Sequence, residues 1–295
     1  MLSILIPTYN YNIFPLVKLL NQQIREANIP FEIICLDDCS QQFHSENQAI
    51  NTLENCSYTI LQKNIGRSAI RNLLAQKANF NNLLFLDADV MPINQDFIAT
   101  YLKYCDSTEQ IVYGGIQYQK EKPIKNQVLR WVYGNSREAL CVTERNKNPY
   151  LNFLTLNFLI SKSVFEKVIF NENIPNLRHE DTLFSYDLMK NNIQMIHIEN
   201  PVCHFGLESS AIFLKKSEEA VLNLHYLIEN NLLSAEYARI SKVFMQIKKL
   251  HLQDFFSFIH KITKPFIIKN LYSNSPSLLL FDWYRLGYLC TISKS

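Results

Sequence analysis

The stretch Leu83-Leu84-Phe85-Leu86-Asp87-Ala88-Asp89 joins an apolar run to two acidic residues that are separated by one small residue. A short apolar run predicts a buried strand. Two carboxylates at the end of such a strand point the same way and can share a hard divalent cation such as Mg²⁺ or Mn²⁺, leaving positions for phosphate and water. A surface turn before Pro92 is the alternative that the triplet alone leaves open.

Three further strands precede this one and alternate with helix-like segments. The predicted strands are Leu2–Ile6, Phe31–Leu36 and Tyr58–Leu61, and the predicted helices are 12–27, 42–54 and 66–79. This alternation predicts an α/β fold with a mainly parallel central sheet and helices on both faces. In that architecture ligands bind beyond the carboxyl ends of the strands.

The rest of the chain changes character with distance from the N-terminus. We expect a strand at 111–119, a strand and helix within Phe153–Val168, and helices near 211–230 and 234–262, where apolar residues recur at spacings of three and four. Residues 1–210 are therefore interpreted as the catalytic domain, and 211–295 as a helical C-terminal appendage.

Polar residues stand directly after each of the first four strands. They are Pro7-Thr8-Tyr9-Asn10, Asp37-Asp38-Cys39-Ser40, Asn64-Ile65-Gly66-Arg67 and Asp87-Ala88-Asp89. Because the carboxyl ends of parallel strands lie at one edge of a sheet, this pattern predicts one site built from four loops.

Two of these loops offer groups that could recognise a nucleotide. Asp37 and Asp38 could accept hydrogen bonds from a base or ribose, although Ser40 or Asp38 could equally cap the following helix. Arg67 and Arg71 lie four residues apart near a predicted helix N-terminus, which favours a contact with a diphosphate or nucleotide. The alternative for the arginines is a solvated basic face, but 66–79 contains no acidic partner for them.

Later in the chain, His179-Glu180-Asp181 opens a predicted helix. A carboxylate kept ionised by a helix N-terminus could take a proton as a general base, or the two acids could simply complement the helix dipole. His204 could be a third metal ligand or a histidine with a structural role.

Bulk composition narrows the chemistry. The chain has only six glycines and neither a GxGxxG nor a GxxxxGK[ST] run, so bound phosphates would need a metal or arginines. Seven cysteines form no CxxC pair, which favours a reducing cytoplasm over a disulfide framework. The first apolar run stops at Pro7, which is too short for a signal peptide or a membrane span.

Taken together, these segments resemble the inverting glycosyltransferases of family 2, which have the A-type glycosyltransferase (GT-A) fold. The resemblance covers about residues 1–208. It rests on the four loops above, on Arg71-Asn72, on Asn157 before Leu159-Ile160-Ser161, and on Glu180-Asp181 and His204. The sequence departs from the family pattern at Leu74, where a glycine is usual, and at Arg178-His179, where a glycine or tryptophan usually precedes Glu-Asp.

The resemblance implies a role for each matching residue. The nucleotide-sugar would lie against the first four loops. Its contacts would be Pro7, Thr8, Tyr9, Asn10, Asp37, Asn64, Gly66, Arg67, Arg71, Asp87 and Ala88. A Mn²⁺ or Mg²⁺ ion would be held by Asp87, Asp89 and His204, with Asp181 as catalytic base and Glu180 as an acceptor or sugar contact.

The expected activity is metal-dependent transfer of a sugar, with inversion, from a nucleoside-diphosphate sugar to a hydroxyl of a glycan or lipid-linked acceptor. We expect a UDP-sugar donor, a role in surface polysaccharide synthesis, and no nucleic-acid partner. A nucleotidyltransferase and a non-catalytic nucleotide-sugar-binding protein are the competing hypotheses.

The C-terminal region differs from the rest in charge. Residues 215–295 carry 11 Lys and Arg against 6 Asp and Glu, while 1–214 carry 18 against 21. Its phenylalanines and isoleucines among lysines could dock on anionic lipid, which would place a cytoplasmic enzyme at the inner face of the membrane. A helical cap that buries those residues on the catalytic domain is the alternative.

Overall fold

The computed structural model describes residues 1–105, 109–175 and 178–293. The strands are β1 Leu2–Thr8, β2 Phe31–Asp37, β3 Cys56–Ile60, β4 Asn82–Leu86, β5 Val90–Pro92, β6 Gln110–Tyr113, β7 Ile116–Gln117, β8 Asn157–Ser161, β9 Gln194–His197 and β10 Val202–His204. The helices are α1 Phe14–Glu26, α2 His44–Gln48, α3 Arg67–Lys77, α4 Phe97–Leu102, α5 Val128–Tyr133, α6 Val142–Arg145, α7 Lys162–Lys167, α8 Glu180–Lys190, α9 Ser210–Glu229, α10 Arg239–Lys249, α11 Gln253–Leu271 and α12 Leu278–Ile292.

Seven strands form the central sheet in the order β3-β2-β1-β4-β8-β6-β9. β1 pairs in parallel with both β2 and β4, and β2 pairs in parallel with β3. β8 runs antiparallel to its neighbours β4 and β6, while β6 and β9 are parallel. The prediction of a mainly parallel sheet is therefore confirmed.

Both faces of this sheet are buried. Successive side chains of a strand point to opposite faces. On one face Leu5, Ile34 and Phe85 pack with Ile70 and Leu74 of α3. On the other face the neighbouring residues of the same strands are also buried: Ile4, Ile6, Ile33, Cys35, Leu84 and Leu86. Full burial explains why these strands are continuous apolar runs rather than alternating ones.

A second, three-stranded sheet has the order β5-β10-β7. β10 pairs antiparallel with β5, which places His204 opposite Val90. Since β5 begins one residue after Asp89, this pairing brings a residue from far along the chain to the turn that follows β4.

The prediction of one continuous strand at 111–119 is wrong. The segment is divided into β6 and β7, which belong to different sheets. Gly115 lies between them with φ of 91°, a backbone conformation that favours glycine and turns the chain out of the first sheet.

Two predicted helices also differ from the structure. The segment 42–54 contains the short α2 and a 3₁₀ turn, Ala49–Thr52, instead of one helix. The segment 234–262 is divided into α10 and α11, because the backbone at His251 has φ of 56° and the N–H of Leu252 bonds back to the carbonyl of Ile247.

The chain divides into two compact units. The first comprises Met1–Gln117, Ala139–Asn173 and Glu180–Gly206, and contains both sheets. The second comprises Tyr118–Glu138, Ile174–His179 and Leu207–Ser295. The second unit thus includes two segments that precede residue 210 in the sequence. The division into domains at residue 210 stays a prediction.

The second unit is helical and has its own apolar clusters. One is formed by Leu129, Leu214, Ile267, Leu271, Phe281 and Tyr284, and another by Val221, Phe244, Ile247, Leu289 and Cys290. Within the described part of the chain, no helix is both long enough and apolar enough to cross a bilayer.

Candidate active site

The loops that follow β1 and β2 are tied to each other. The N–H of Asp38 donates to the carbonyl of Thr8 at 2.9 Å. Asn10 adopts φ of 50°, its N–H donates to the Ser40 hydroxyl at 2.7 Å, and its side-chain oxygen accepts from the N–H of Gln41 at 2.7 Å. These bonds hold the first two predicted loops side by side at the carboxyl edge of the sheet.

The three residues that precede Asn10 on the first loop differ in exposure. Thr8 is buried, Pro7 is half-buried, and Tyr9 is exposed over 54% of its surface. The ring of Tyr9 is therefore accessible to a ligand. The buried Thr8 instead holds the loop in place, because its carbonyl accepts the hydrogen bond from Asp38.

Asp37 is fully buried, and both of its carboxylate oxygens accept hydrogen bonds. One accepts from the N–H of Ser40 at 2.7 Å and the other from the hydroxyl of Tyr58. The alternative that Ser40 or Asp38 caps the next helix is wrong, because α2 begins at His44 without a side-chain cap. A direct contact of Asp37 with a nucleotide stays a prediction.

Asp38 has a role that the sequence analysis missed. Its carboxylate accepts from the N–H of Ile65 at 2.7 Å and of Gly66 at 3.0 Å, and its carbonyl accepts from the side-chain amide of Asn64 at 3.0 Å. Asp38 therefore fixes the loop that leads into α3. The adjacent acids Asp37 and Asp38 were the only signal of this in the sequence.

Arg71 projects from α3 into the loop after β4. Its guanidinium is buried and lies 2.7 Å from Oδ1 of Asp87. Burial lowers the pKa of Arg71, but the charges of Asp87 and Glu180 outweigh it and the pKa is raised. The alternative of a solvated basic face is wrong for Arg71, whose acidic partner is Asp87, 16 residues along the chain.

Arg67, one turn earlier on α3, is exposed and pairs with Glu180 at the start of α8 at 3.2 Å. Burial alone would raise the pKa of Glu180, but Arg67 and Arg71 lower it. The two arginines thus each pair with one acid of the predicted site. Their contact with a diphosphate stays a prediction.

Asp89 and His204 meet across the pairing of β5 with β10. Nε2 of His204 lies 3.2 Å from Oδ2 of Asp89, and the N–H of Phe205 donates to the carbonyl of Asp89 at 2.8 Å. Gly206 lies against both side chains, since a Cβ there would be 2.3 Å from Oδ2 of Asp89 and 2.9 Å from Nε2 of His204. Burial and then the charge of Asp89 raise the pKa of Tyr11, a residue absent from the predicted site.

The donor atoms here suit a hard divalent cation. A carboxylate oxygen and an imidazole nitrogen converge at Asp89 and His204, and Asp87 lies close enough that both groups influence its pKa, which burial raises. In the described residues, no three His, Cys, Asp or Glu side chains form a ready-made metal cluster. Mg²⁺ and Mn²⁺ sites often use one or two protein ligands and complete their shell with phosphate and water, so the two converging donors fit such an ion.

Asp181 is half-buried in the first turn of α8. Burial and the adjacent charge of Glu180 raise its pKa to about 6, although Thr182 and Arg71 oppose the shift. A carboxylate with such a pKa is ionised at neutral pH and is still a competent proton acceptor. The positive charge of Arg71 acts to lower the pKa of both Asp181 and Asp87.

The residues before α8 keep an unusual backbone. Arg178 and His179, which stand where the family usually has a glycine or tryptophan, have φ values of 80° and 68°. This is the left-handed region that glycine adopts most easily, and each non-glycine residue there costs roughly 1 kcal/mol. Leu74, where the family usually has a glycine, lies on α3 and is fully buried in the core against the central sheet.

A family model described as Glycosyl transferase family 2 matches residues 3–172. The mannosyltransferase PcManGT from Pyrobaculum calidifontis, solved in complex with GDP-Man and Mn²⁺, has a TM-score of 0.55 and 13% identity, with 99% of this chain and 86% of that chain covered. S. aureus TarS 1–349 has a TM-score of 0.52 and 15% identity, with 99% and 90% covered.

A longer S. aureus TarS chain has a TM-score of 0.51 and 18% identity over 75% of this chain. This chain spans 39% of the length of that TarS chain. No curated protein matches the sequence significantly. At these identities the structural likeness shows the fold alone, and it confirms the GT-A fold that the sequence predicts.

Proposed function

Because this chain belongs to glycosyl transferase family 2, we propose that it is a metal-dependent inverting enzyme that uses a nucleoside-diphosphate sugar, with UDP-sugar as the expected donor. The sugar is transferred to a hydroxyl of a glycan or a lipid-linked acceptor in surface polysaccharide synthesis. The proposal treats residues 1–210 as the catalytic domain.

The observation that carries the proposal is the sharing of Arg71 between two sets of acids. Arg71 pairs with Asp87 at 2.7 Å, and its charge also acts on Glu180 and Asp181. With Asp87 as a donor-binding group and Asp181 as the proton acceptor, the charge of Arg71 would act on both substrates' groups, which supports transfer between two bound substrates.

The proposed reaction is a single displacement. The acceptor hydroxyl attacks the anomeric carbon, the new carbon–oxygen bond forms as the bond to the diphosphate breaks, and Asp181 takes the hydroxyl proton. Because attack comes from the side opposite the leaving group, the configuration at the anomeric carbon inverts. Arg67 and Arg71 contribute positive charge beside the departing diphosphate.

Asp89 and His204 would hold the Mn²⁺ or Mg²⁺ ion, with Asp87 beside it. When bound, the ion offsets the negative charge that develops on the leaving diphosphate. Glu180 keeps Arg67 in place and is available to the sugar or the acceptor. The exposed ring of Tyr9 and the two loops that bear Asn10 and Asn64 would contact the nucleoside.

A donor panel tests this proposal directly. The purified chain is incubated with individual nucleotide-sugars and Mn²⁺ or Mg²⁺, and release of nucleoside diphosphate is measured with and without chelator. Metal-dependent release from one donor supports the proposal. Release of pyrophosphate would instead identify a nucleotidyltransferase, and metal-dependent donor binding without turnover would identify a non-catalytic binding protein.

The predicted setting also belongs to the proposal. The enzyme would work in the cytoplasm, without a nucleic-acid partner, and residues 211–295 would make peripheral contact with the inner face of the membrane.

A further inference from the structure

One side of α11 exposes large apolar residues to solvent. Phe255, Phe258, Ile262 and Phe266 are exposed over 58%, 61%, 53% and 74% of their surface. Their spacing of three, four and four residues places them on one face of the helix. Four such residues in line form a patch, which in a folded protein indicates a contact surface rather than isolated exposed side chains.

The opposite side of α11 is packed inside the second unit. Ser257, His260, Ile267 and Leu271 are buried, and Ile267 and Leu271 join the cluster that includes Phe281 and Tyr284 of α12. The helix is therefore anchored by residues other than the exposed ones. Ile267 is buried inside the second unit, whereas Phe255, Phe258 and Phe266 are exposed. The alternative of a helical cap that buries the apolar residues on the catalytic domain stays a prediction.

The part of the sequence that contains this face is rich in positive charge. Residues 239–272 contain seven Lys or Arg and a single acid, Asp254, a net charge of +6. Lys261 and Lys269 are exposed on α11 within one turn of the apolar residues. Lys264 differs, because it pairs with Glu218 at 3.2 Å.

We propose that this side of α11, here called the α11 face (Phe255, Phe258, Lys261, Ile262, Phe266 and Lys269), docks on a bilayer that contains anionic lipid. Aromatic and aliphatic side chains enter the boundary between headgroups and acyl chains while lysines on the same helix bind the negative headgroups. A second copy of the chain fits this face less well, since it would bring Lys261 and Lys269 against the same two lysines.

The proposal gives a defined surface to the membrane contact included in the proposed function, and its test needs neither donor nor acceptor. The full chain is sedimented with vesicles of phosphatidylcholine that contain about 30% phosphatidylglycerol, which mimic an anionic bilayer. It is also sedimented with vesicles of phosphatidylcholine alone. We expect binding to the anionic vesicles that weakens as salt is raised, and little binding to the neutral ones.

Two double variants separate the apolar and basic contributions. Phe258→Ser with Phe266→Ser should reduce the vesicle partition coefficient by at least about tenfold. Lys261→Glu with Lys269→Glu should reduce it by roughly fivefold or more for each residue changed. All four side chains are exposed, so the melting temperature should stay close to that of the parent chain.

Matched controls use exposed residues elsewhere. Ile124→Ser with Ile169→Ser, and Lys18→Glu with Lys120→Glu, remove equal numbers of apolar or basic side chains outside α11 and should bind nearly as the parent does. Equal loss in the controls, or no binding by the parent chain, would overturn the proposal. So would a concentration-dependent dimer that the phenylalanine variant abolishes. Donor turnover is assayed separately, so a failure of vesicle binding is distinguishable from a failure of the proposed function.

Discussion

Arg71 of α3 donates from Nη2 to Oδ1 of Asp87 at 2.7 Å, and thereby joins a helix to the turn that follows β4. The guanidinium is buried, while the Asp87 side chain remains 29% exposed. The buried cation thus positions a carboxylate that still reaches solvent. The pair orients Asp87 before any ligand binds, because the planar guanidinium of Arg71 is itself fixed by its burial in the core.

Removing the guanidinium should cost both stability and donor affinity. Arg71→Met leaves Asp87 without its cation, so we expect the free energy of unfolding to fall by about 1–3 kcal/mol. The double variant Arg71→Met with Asp87→Asn should lose less than the sum of the two single changes, since the unpaired charge is gone. Urea denaturation of the four proteins measures this coupling.

The exposed pair Arg25–Glu54 provides the control for that cycle. Its atoms are 3.5 Å apart and its side chains are 60% and 63% exposed. Arg25→Met should therefore change the free energy of unfolding by less than about 1 kcal/mol. Equal destabilisation by Arg25→Met and Arg71→Met would show that burial of the Arg71 pair has no special energetic role.

Asp181→Asn should abolish transfer while donor binding persists. Loss of a general base typically lowers the rate by about 10²- to 10⁴-fold. In the parent enzyme, kcat/KM should fall as the pH drops below about 6, because the pKa of Asp181 is raised to about 6 and the proton acceptor is then lost. Steady-state rates between about pH 5 and 8 check the profile.

Asp187 on the same helix is the matched control for that experiment. It is also an acid of α8, but it lies six residues after Asp181 and contacts no other predicted site residue among the described contacts. Asp187→Asn should retain activity and the same acid limb. Full activity in Asp181→Asn would remove this residue from the mechanism.

The raised pKa of Asp181 also affects stability, which should fall as the pH rises, whereas activity should fall as the pH drops. Because the folded chain raises the pKa of Asp181, it binds the proton more tightly than the unfolded chain does, and stability falls as pH rises through the window from the ordinary carboxyl range to about 6. Asp181→Asn should therefore increase the free energy of unfolding above about pH 6, by about 1–2 kcal/mol. Denaturation at several pH values in metal-free buffer measures the gain, and a less stable Asp181→Asn protein at neutral pH would contradict it.

The sheet and the polar loops at its carboxyl edge could be predicted because they depend on local pattern. Every residue of β4 after Asn82 is apolar. Acids that directly follow such a buried strand lie at the carboxyl edge of the sheet. The breaks at Gly115 and His251 could not be predicted, since a positive φ at either residue depends on its tertiary surroundings. The apolar spacing continues across His251 and hides the end of α10.

The candidate site shows the same limit. Residue types identified Arg71, Asp87, Asp89 and Asp181, but not their pairing, which depends on how α3, β4 and α8 meet. The support that Asp38 gives to the Ile65 and Gly66 amides is a contact across 27 and 28 residues. Such long-range hydrogen bonds leave no periodic trace in the sequence, so the adjacent acids could be noticed but not assigned separate roles.

Gly206→Ala tests whether the space beside Asp89 and His204 is used by a metal ion. An added Cβ would lie 2.3 Å from Oδ2 of Asp89, so the carboxylate has to move. Displacing a ligand in this way should weaken Mn²⁺ binding by about 10- to 100-fold, the range seen when groups that support metal ligands are changed. Titration calorimetry with Mn²⁺ and nucleoside diphosphate measures the affinity independently of turnover.

Phe205→Ala, a change at the exposed neighbouring residue, is the control and should bind Mn²⁺ as the parent does. Unchanged Mn²⁺ affinity in Gly206→Ala would argue against Asp89 and His204 as the ligands, because the added Cβ shifts the Asp89 carboxylate.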